Sequence, residues 1–345
     1  MLKATHSRLF AAAALVGLLA SACSKPDSLE RRLDAIAQHS HEEGELNGNV
    51  LITRGAQVLY EQSFGTADIS ADIDNAPNTK FLIASISKPF TAVLVMQLVD
   101  AGKLSPQTQL ATIFPNLSGN PAGVITLHQL LTHTSGLKEL ISANPMKRIT
   151  ARDLETAQVK PDPDFEYSNT GYVCLVLVME AVTGEPYEKL IQHAIFDPAG
   201  MKDTGVLRTG KKVNGLARGH HGMIGLDPAK LDFAPEAVDG AGSIYSTARD
   251  LWRFDRALKA DRILSRKSQD LMYTQYEPGH HGYGWFLDEQ GGKYFPWHSG
   301  DMAGYSTSLV RQIQRDETII ILGNTAATDA RALQREFLQV LKQSP

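Results

Sequence analysis

Cysteine is nearly absent from this chain: among 345 residues there are two, Cys23 and Cys174. Disulfides are therefore excluded as the main support of the fold, which must stand on its core. Cys174 lies in the apolar run VCLVLVMEAV, where a buried, inert thiol is expected. Strong charge of either sign is also missing. The formal net charge is −4 and no run of basic residues occurs, so nothing points to nucleic acid as a partner. Beyond the N-terminus no apolar run is long enough to span a membrane. H-E-x-x-H and G-x-S-x-G are both absent, so a zinc protease and an α/β-hydrolase lose their main signatures. What remains is globular composition, 43% hydrophobic and 21% charged, in a length that suits one large domain or two lobes.

The first residues read as an export signal. Lys3 and Arg8 flank a polar start, and Leu9 to Ala20 form an apolar stretch of 12 residues. That is too short for a bilayer and right for a signal-peptide core. Ala20-Ser21-Ala22 then precedes Cys23. Small residues ending at a cysteine resemble a bacterial lipoprotein signal, with residues 1–22 removed and Cys23 lipidated. Plain cleavage after the A-x-A at Ala20 to Ala22, or a retained anchor, stay open. The expected location is the cell envelope: the periplasm, with the membrane reached through lipid on Cys23. Losing Lys3 and Arg8 makes the mature chain two charges more negative.

Along the chain, Leu29, Leu33 and Ile36 predict an amphipathic helix. NVLITRGAQVLYEQSFG holds two strand-like runs around Arg54-Gly55, a hairpin signal. Residues 92–99 are apolar except for Gln97, which predicts a helix buried nearly all round and ended by Gly102. The middle, about 100 to 235, reads as short helices broken by Pro and Gly. After Gly240 strand signals return. Residues 306–312 and 318–323 flank Arg315-Asp316 as another hairpin, and Leu333, Phe337, Val340 and Leu341 share a face of a last helix. The pattern predicts one sheet assembled from both ends of the chain. Terminal helices would pack on it and a helical lobe would be inserted, with the site in the cleft between lobes.

Three stretches could carry chemistry. IASISKPFTA places Ser85 three residues before Lys88 at the start of the buried helix. On a helix the two share a face, with Pro89 in the opening turn, where a missing N–H costs little. A neighbouring amine can take a serine proton if burial lowers its pKa. Alone this is weak, since on the order of one Ser-x-x-Lys is expected by chance in such a length. A second, Ser135 to Lys138 in THTSGLK, contains glycine and reads as a solvated loop. FEYSNTGY places Tyr167 two residues before Asn169 in a polar turn. There a phenol could relay a proton if nearby cations lower its pKa, and an Asn could hold the lysine or a substrate amide. PWHSGDMAGYSTSLV places His298-Ser299-Gly300 before a strand. Gly300 would admit substrate backbone, and the N–H of Asp301 could face an oxyanion.

Ser-x-x-Lys, Tyr-x-Asn and His-x-Gly in this order resemble the serine β-lactamase and penicillin-recognising hydrolase family. The resemblance runs to the branch of class C β-lactamases, D-alanyl-D-alanine carboxypeptidases and related esterases. It covers about Asn49 to Asn324 and includes the framework stretches ITLHQLLTHTSGL, GAGSIYSTARDL and GYGWF. It implies an α+β fold, β-lactamase/transpeptidase-like. The sheet lobe would cover about 29–90 and 235–345 and the helical lobe about 91–234, within a single domain of residues 23–345. It also implies Ser85 as acylated nucleophile, Lys88 and Tyr167 as proton-transfer groups, and Asn169, His298, Ser299 and Gly300 as substrate-binding. The N–H groups of Ser85 and Asp301 would form the oxyanion hole, and no cofactor is implied. His298 stands where class C β-lactamases have lysine. An unperturbed histidine loses its charge near pH 6.5, and Asp301, if turned to the cleft, would further repel an anion. The leading expectation is a small-molecule or peptide substrate: a D-amino-acid peptide or an ester. The alternatives are a true β-lactamase and a penicillin-binding protein that acylates without turnover. GVLRTGKK (205–212) resembles a phosphate loop but has Lys212 in place of Ser or Thr and no following helix. The two Gly-His-His-Gly stretches, 219–222 and 279–282, lack an acidic or thiol partner for a metal, so no metal is expected.

Overall fold

The computed structural model describes residues 28–161, 163–221, 224–226, 231–290 and 292–344. The signal segment, Cys23 and Gly222 lie outside them.

The centre is a six-stranded antiparallel sheet. Its spatial order is Phe286–Gln290, Lys293–Met302, Tyr305–Gln312, Glu317–Gly323, Gly48–Arg54 and Gln57–Phe64. Both hairpins expected from the sequence form, and the N-terminal one docks on the last strand in register Val50↔Ile321 and Ile52↔Ile319. The two-residue alternation of a strand then sorts the sheet into faces. Val50, Ile52, Val310, Ile319 and Ile321 meet Leu33 and Ala37 of the helix Leu29–Glu42 and Leu333, Phe337 and Leu341 of the helix Ala330–Lys342. Leu51, Leu309, Ile320 and Leu322 face the other way, into a larger core shared with the helices of the middle of the chain.

The helix Ser87–Asp100 runs through that core and is buried almost all round. Phe90 on it stacks on Phe254 with ring centroids 3.9 Å apart, and the apolar helix Asn169–Thr183, with the buried free Cys174, shares its core. After Gly240 strands return as the sequence predicts, but two helices the sequence reading did not mark, Ala248–Lys259 and Arg266–Met272, stand between the short strand Ile244–Ser246 and the sheet strands from Phe286 onward. The cause is local: the Thr247 side chain accepts the N–H of Asp250 and starts a helix whose Leu251, Phe254, Ala257 and Leu258 are buried on one side. Ile244–Ser246 pairs with Phe81–Leu82 and Gly205–Val206 in a small three-stranded sheet. This sheet delivers residues 241–243 to the turn that precedes the buried helix.

Candidate active site

Ser85 sits in a single 3-10 turn, Ala84–Ile86, directly before the helix Ser87–Asp100. Ala84 takes a left-handed backbone, φ 45°, which costs a non-glycine residue about 1–2 kcal/mol. The turn is held from three sides. The N–H of Ile83 donates to the carbonyl of Ile244 (3.0 Å), and the Thr307 hydroxyl donates to the carbonyl of Ile83 (3.2 Å). Gly300 abuts that same carbonyl so closely that a Cβ there would overlap it. The glycine is thus needed for the strand to approach the serine turn, whereas the sequence reading assigned it to substrate approach. It brings the strand that carries Asp301 against the turn that carries Ser85.

Lys88 is fully buried. Its Nζ donates to Ser85 Oγ (3.1 Å), Asn169 Oδ1 (2.8 Å) and the carbonyl of Ala241 (3.0 Å). Burial lowers its pKa from the usual 10.5 to about 7, and only the negative charge of Glu139 works against this. Two of its three partners are carbonyl oxygens, which can only accept. The Ser85 hydroxyl alone can reverse its hydrogen bond. When Lys88 loses its proton, the new lone pair is therefore served by Ser85, and the pair is set for proton transfer from serine to amine.

Tyr167 lies across this pair. Its phenol is near enough to the Ser85 hydroxyl for that group to act on its pKa, and Lys88 Nζ stands 4.7 Å from its ring centroid. The expectation of a lowered phenol pKa is not met. Burial raises it, with Asp301 and Glu139 adding to the rise and the Ser85 hydroxyl opposing it. Solvent tempers the effect, since Tyr167 is 36% exposed, yet the direction leaves a neutral phenol at pH 7. Lys88 is the group poised to gain or lose a proton there.

Asn169 begins the helix Asn169–Thr183, which is why its side chain can reach Lys88. A residue the sequence reading missed secures that start. Glu139 accepts the N–H groups of Asn169 and Thr170, both at 2.9 Å, placing a carboxylate at a helix N-terminus where the dipole favours it. Glu139 carries no spacing signal: it follows THTSGLK in a loop and is brought in by tertiary structure.

Alternation along Lys293–Met302 decides where its side chains go. His298 and Gly300 face the serine side, opposite Leu309 and Thr307. Ser299 and Asp301 share the other face with Ser308 and Ser306, whose hydroxyls bond Gln334 and Asp301. The Asp301 carboxylate is thus turned away from the serine side, and Ser299 contributes its carbonyl, which accepts from His298 Nδ1 at 2.5 Å. His298 itself is 1% exposed. Burial and the nearby charge of Lys88 hold its pKa well below 6.5, so the expected loss of charge near pH 6.5 does not occur: the ring is neutral throughout the working range. Its Nε2 is buried without a hydrogen-bond partner among the described residues, so His298 offers no cation to a substrate.

The remaining motifs resolve as structure. Ser135 is buried in a turn, its Oγ accepting the N–H of Leu137, while Lys138 is exposed and reaches Gln158. In GVLRTGKK, Arg208 is paired with Glu188 and Asp239. Burial raises the pKa of Cys174 and keeps it a thiol. His220 and His281 are buried apart from one another, His220 against Thr66 and His281 against Phe286 and His133. Among the described residues no group of three or more His, Cys, Asp or Glu is placed to hold a metal ion, and no helix is long and apolar enough to cross a membrane.

This geometry has relatives. The β-lactamase family pattern matches residues 33–342. A penicillin-binding protein of Bacillus subtilis (strain 168) is 30% identical, over 85% of this chain and 71% of its own. The fold is similar to that of the D-amino acid amidase from Ochrobactrum anthropi SV3, with TM-score 0.78 at 25% identity, covering 92% of this chain and 99% of that one. It is also similar to the octameric penicillin-binding protein homologue from Pyrococcus abyssi, with TM-score 0.77 at 26% identity, covering 90% and 77%. The chain is a serine hydrolase of the β-lactamase family.

Proposed function

We propose that this protein hydrolyses amides or esters of D-amino acids or short D-peptides through an acyl-enzyme on Ser85. The observation that carries the reading is the neutral, buried His298 at the position where a lysine would greet a substrate carboxylate. A site without that cation favours substrates that end in a neutral group, and the similarity to a D-amino acid amidase agrees with this. The chemistry follows from the contacts. Neutral Lys88 takes the Ser85 proton as Oγ attacks the carbonyl carbon, and the N–H groups of Ser85 and Asp301 stabilise the oxyanion. The proton then passes from Lys88 through the Tyr167 hydroxyl to the leaving nitrogen or oxygen, and the carbon–leaving-group bond breaks. Water repeats the sequence to release the acid and restore Ser85. Tyr167 remains a phenol before and after each transfer, consistent with its raised pKa.

A second reading, a penicillin-binding protein that is acylated and turns over slowly, is favoured by the Bacillus subtilis relative. One experiment separates them, along with a true β-lactamase. The purified protein is offered D-phenylalanine amide, p-nitrophenyl esters, a D-Ala-D-Ala peptide and nitrocefin, with mass spectrometry of the protein. Turnover of the amide and neutral esters supports the proposal, fast nitrocefin hydrolysis overturns it, and a lasting adduct without turnover supports the second reading.

For location, the sequence of residues 1–23 supports export to the cell envelope with a lipid on Cys23. One acyl chain alone binds membranes marginally, so several are needed. Cys23→Ala should shift the protein to the soluble fraction or leave it unprocessed, and a wild-type protein found wholly soluble in the periplasm overturns the anchor.

A further inference from the structure

Tyr167 lies in a segment, residues 163–168, that forms no helix or strand. Something outside the segment must fix its phenol over Ser85, and the contacts converge on His133. The carbonyl of His133 accepts the N–H of Glu166 at 2.9 Å. Its ring Nδ1 accepts the N–H of Ser168 at 3.0 Å. The two backbone amides that bracket Tyr167 are thus held by one residue. The same imidazole stacks on the Tyr167 ring, with centroids 4.4 Å apart and planes 29° from parallel.

The clamp is itself rigid. His133 is 1% exposed, with Tyr172 at 5.0 Å and the edges of His281 and Phe165 at 4.8 and 5.8 Å closing around it. Tyr172 is tied down by its hydroxyl, which donates to the carbonyl of Leu131 at 3.0 Å. An acceptor at Nδ1 requires the neutral ring with its proton on Nε2, and burial among uncharged rings beside Lys88 favours that form.

We propose that His133 is the positioning residue of the proton-relay tyrosine. It fixes the phenol by two backbone hydrogen bonds and a ring stack, so that the proton reaches the leaving group while the bond breaks. The inference rests on the reading of Tyr167 as proton carrier given above. It predicts a specific failure. A displaced phenol hinders expulsion of a poor leaving group, which needs a proton, and spares a good one, which does not.

The test uses the full-length protein and two carboxylate-free esters with one acyl group, p-nitrophenyl butyrate and ethyl butyrate. The first expels a stable phenolate, and the second needs its oxygen protonated. His133→Phe keeps an aromatic ring against Tyr167 and removes the Nδ1 acceptor. It should lower kcat/KM for the ethyl ester about 10- to 100-fold, up to the lower bound of a general acid's contribution because the phenol is displaced rather than removed, and change the p-nitrophenyl ester less than about 3-fold. Tyr167→Phe should show the same selectivity, and the double variant should be no worse than Tyr167→Phe alone. His133→Asn, which restores an acceptor, should recover part of the ethyl ester rate and decides the matter if His133→Phe does not fold. Equal losses on both esters, or losses that add to those of Tyr167→Phe, overturn the positioning role. If Tyr167→Phe itself shows no selectivity, the proton-carrier reading falls and the positioning role falls with it.

Discussion

Gly300 and Ile83 meet backbone to backbone: the carbonyl of Ile83 occupies the space a side chain on residue 300 would take. The contact joins the strand carrying His298 and Asp301 to the turn carrying Ser85, so binding and attacking groups are set by one junction. Gly300→Ala must push strand and turn apart. Overpacking of this kind costs about 1–3 kcal/mol. A lower melting temperature is expected together with loss of kcat/KM of at least about 10²-fold, because small displacements of reacting groups are that costly. Near-normal kinetics would show that the junction does not set the site.

Lys88 gives the activity a pH dependence with a defined sign. The neutral amine is the reactive form and its pKa is about 7, so kcat/KM should rise with pH and level off above about 7. Lys88→Arg, which cannot lose its proton, should be inactive at every pH. Stability carries the same signature. Between about pH 7 and 10.5 the unfolded chain binds a proton that the folded chain does not, so stability rises with pH across that window. At about 1.4 kcal/mol per pKa unit, the span is a few kcal/mol. Lys88→Met lacks this dependence, so its melting temperature relative to wild type should be more favourable at pH 6 than at pH 10. Parallel curves would mean Lys88 titrates normally.

Glu139 raises the pKa of Lys88 through its charge and anchors the helix that carries Asn169. Glu139→Gln removes the charge, so the rise of kcat/KM should move to lower pH. The lost carboxylate at the helix N-terminus should cost about 0.3–1 kcal/mol of stability. A rise that moves to higher pH contradicts the assignment.

His298 is neutral across the working range. The ratio of kcat/KM for a carboxylate-bearing ester to that of its neutral amide analogue should therefore stay flat between about pH 5.5 and 8.5, a window that brackets the ordinary histidine pKa. His298→Lys would place a second cation near Lys88, depress its pKa further and move the rise of kcat/KM to lower pH. A wild-type ratio that falls as pH rises would show a protonated His298 reading the carboxylate.

The local chemistry was legible in the sequence and its surroundings were not. Ser85 and Lys88 are one helical turn apart, and Tyr167 and Asn169 flank a helix start, so short spacing could propose them, while the order of the three motifs and the family resemblance it carries were needed to choose them over a chance match such as Ser135 and Lys138. The hairpins at Arg54-Gly55 and Arg315-Asp316 were legible for the same reason. Glu139 and His133 act through loops that reach the site only by tertiary packing, and no periodicity marks them. The titration of His298 was misread because its burial depends not only on Phe286 of the neighbouring hairpin strand but also on Tyr167 and the serine helix, both remote in sequence. Gly300 was recognised as necessary, but the backbone it accommodates belongs to Ile83, more than 200 residues earlier.

The central claim is that Ser85, activated by Lys88, carries the acyl group. The direct measurement is peptide mass spectrometry of protein quenched during turnover of p-nitrophenyl butyrate, for wild type, Ser85→Ala and Lys88→Met. One butyryl mass should appear on the peptide containing Ser85 in the wild type, be absent from Ser85→Ala with its fold intact, and form about 10²- to 10⁴-fold more slowly in Lys88→Met. A butyryl group on Ser87 or Ser135, or wild-type acylation of Lys88→Met, would contradict the account.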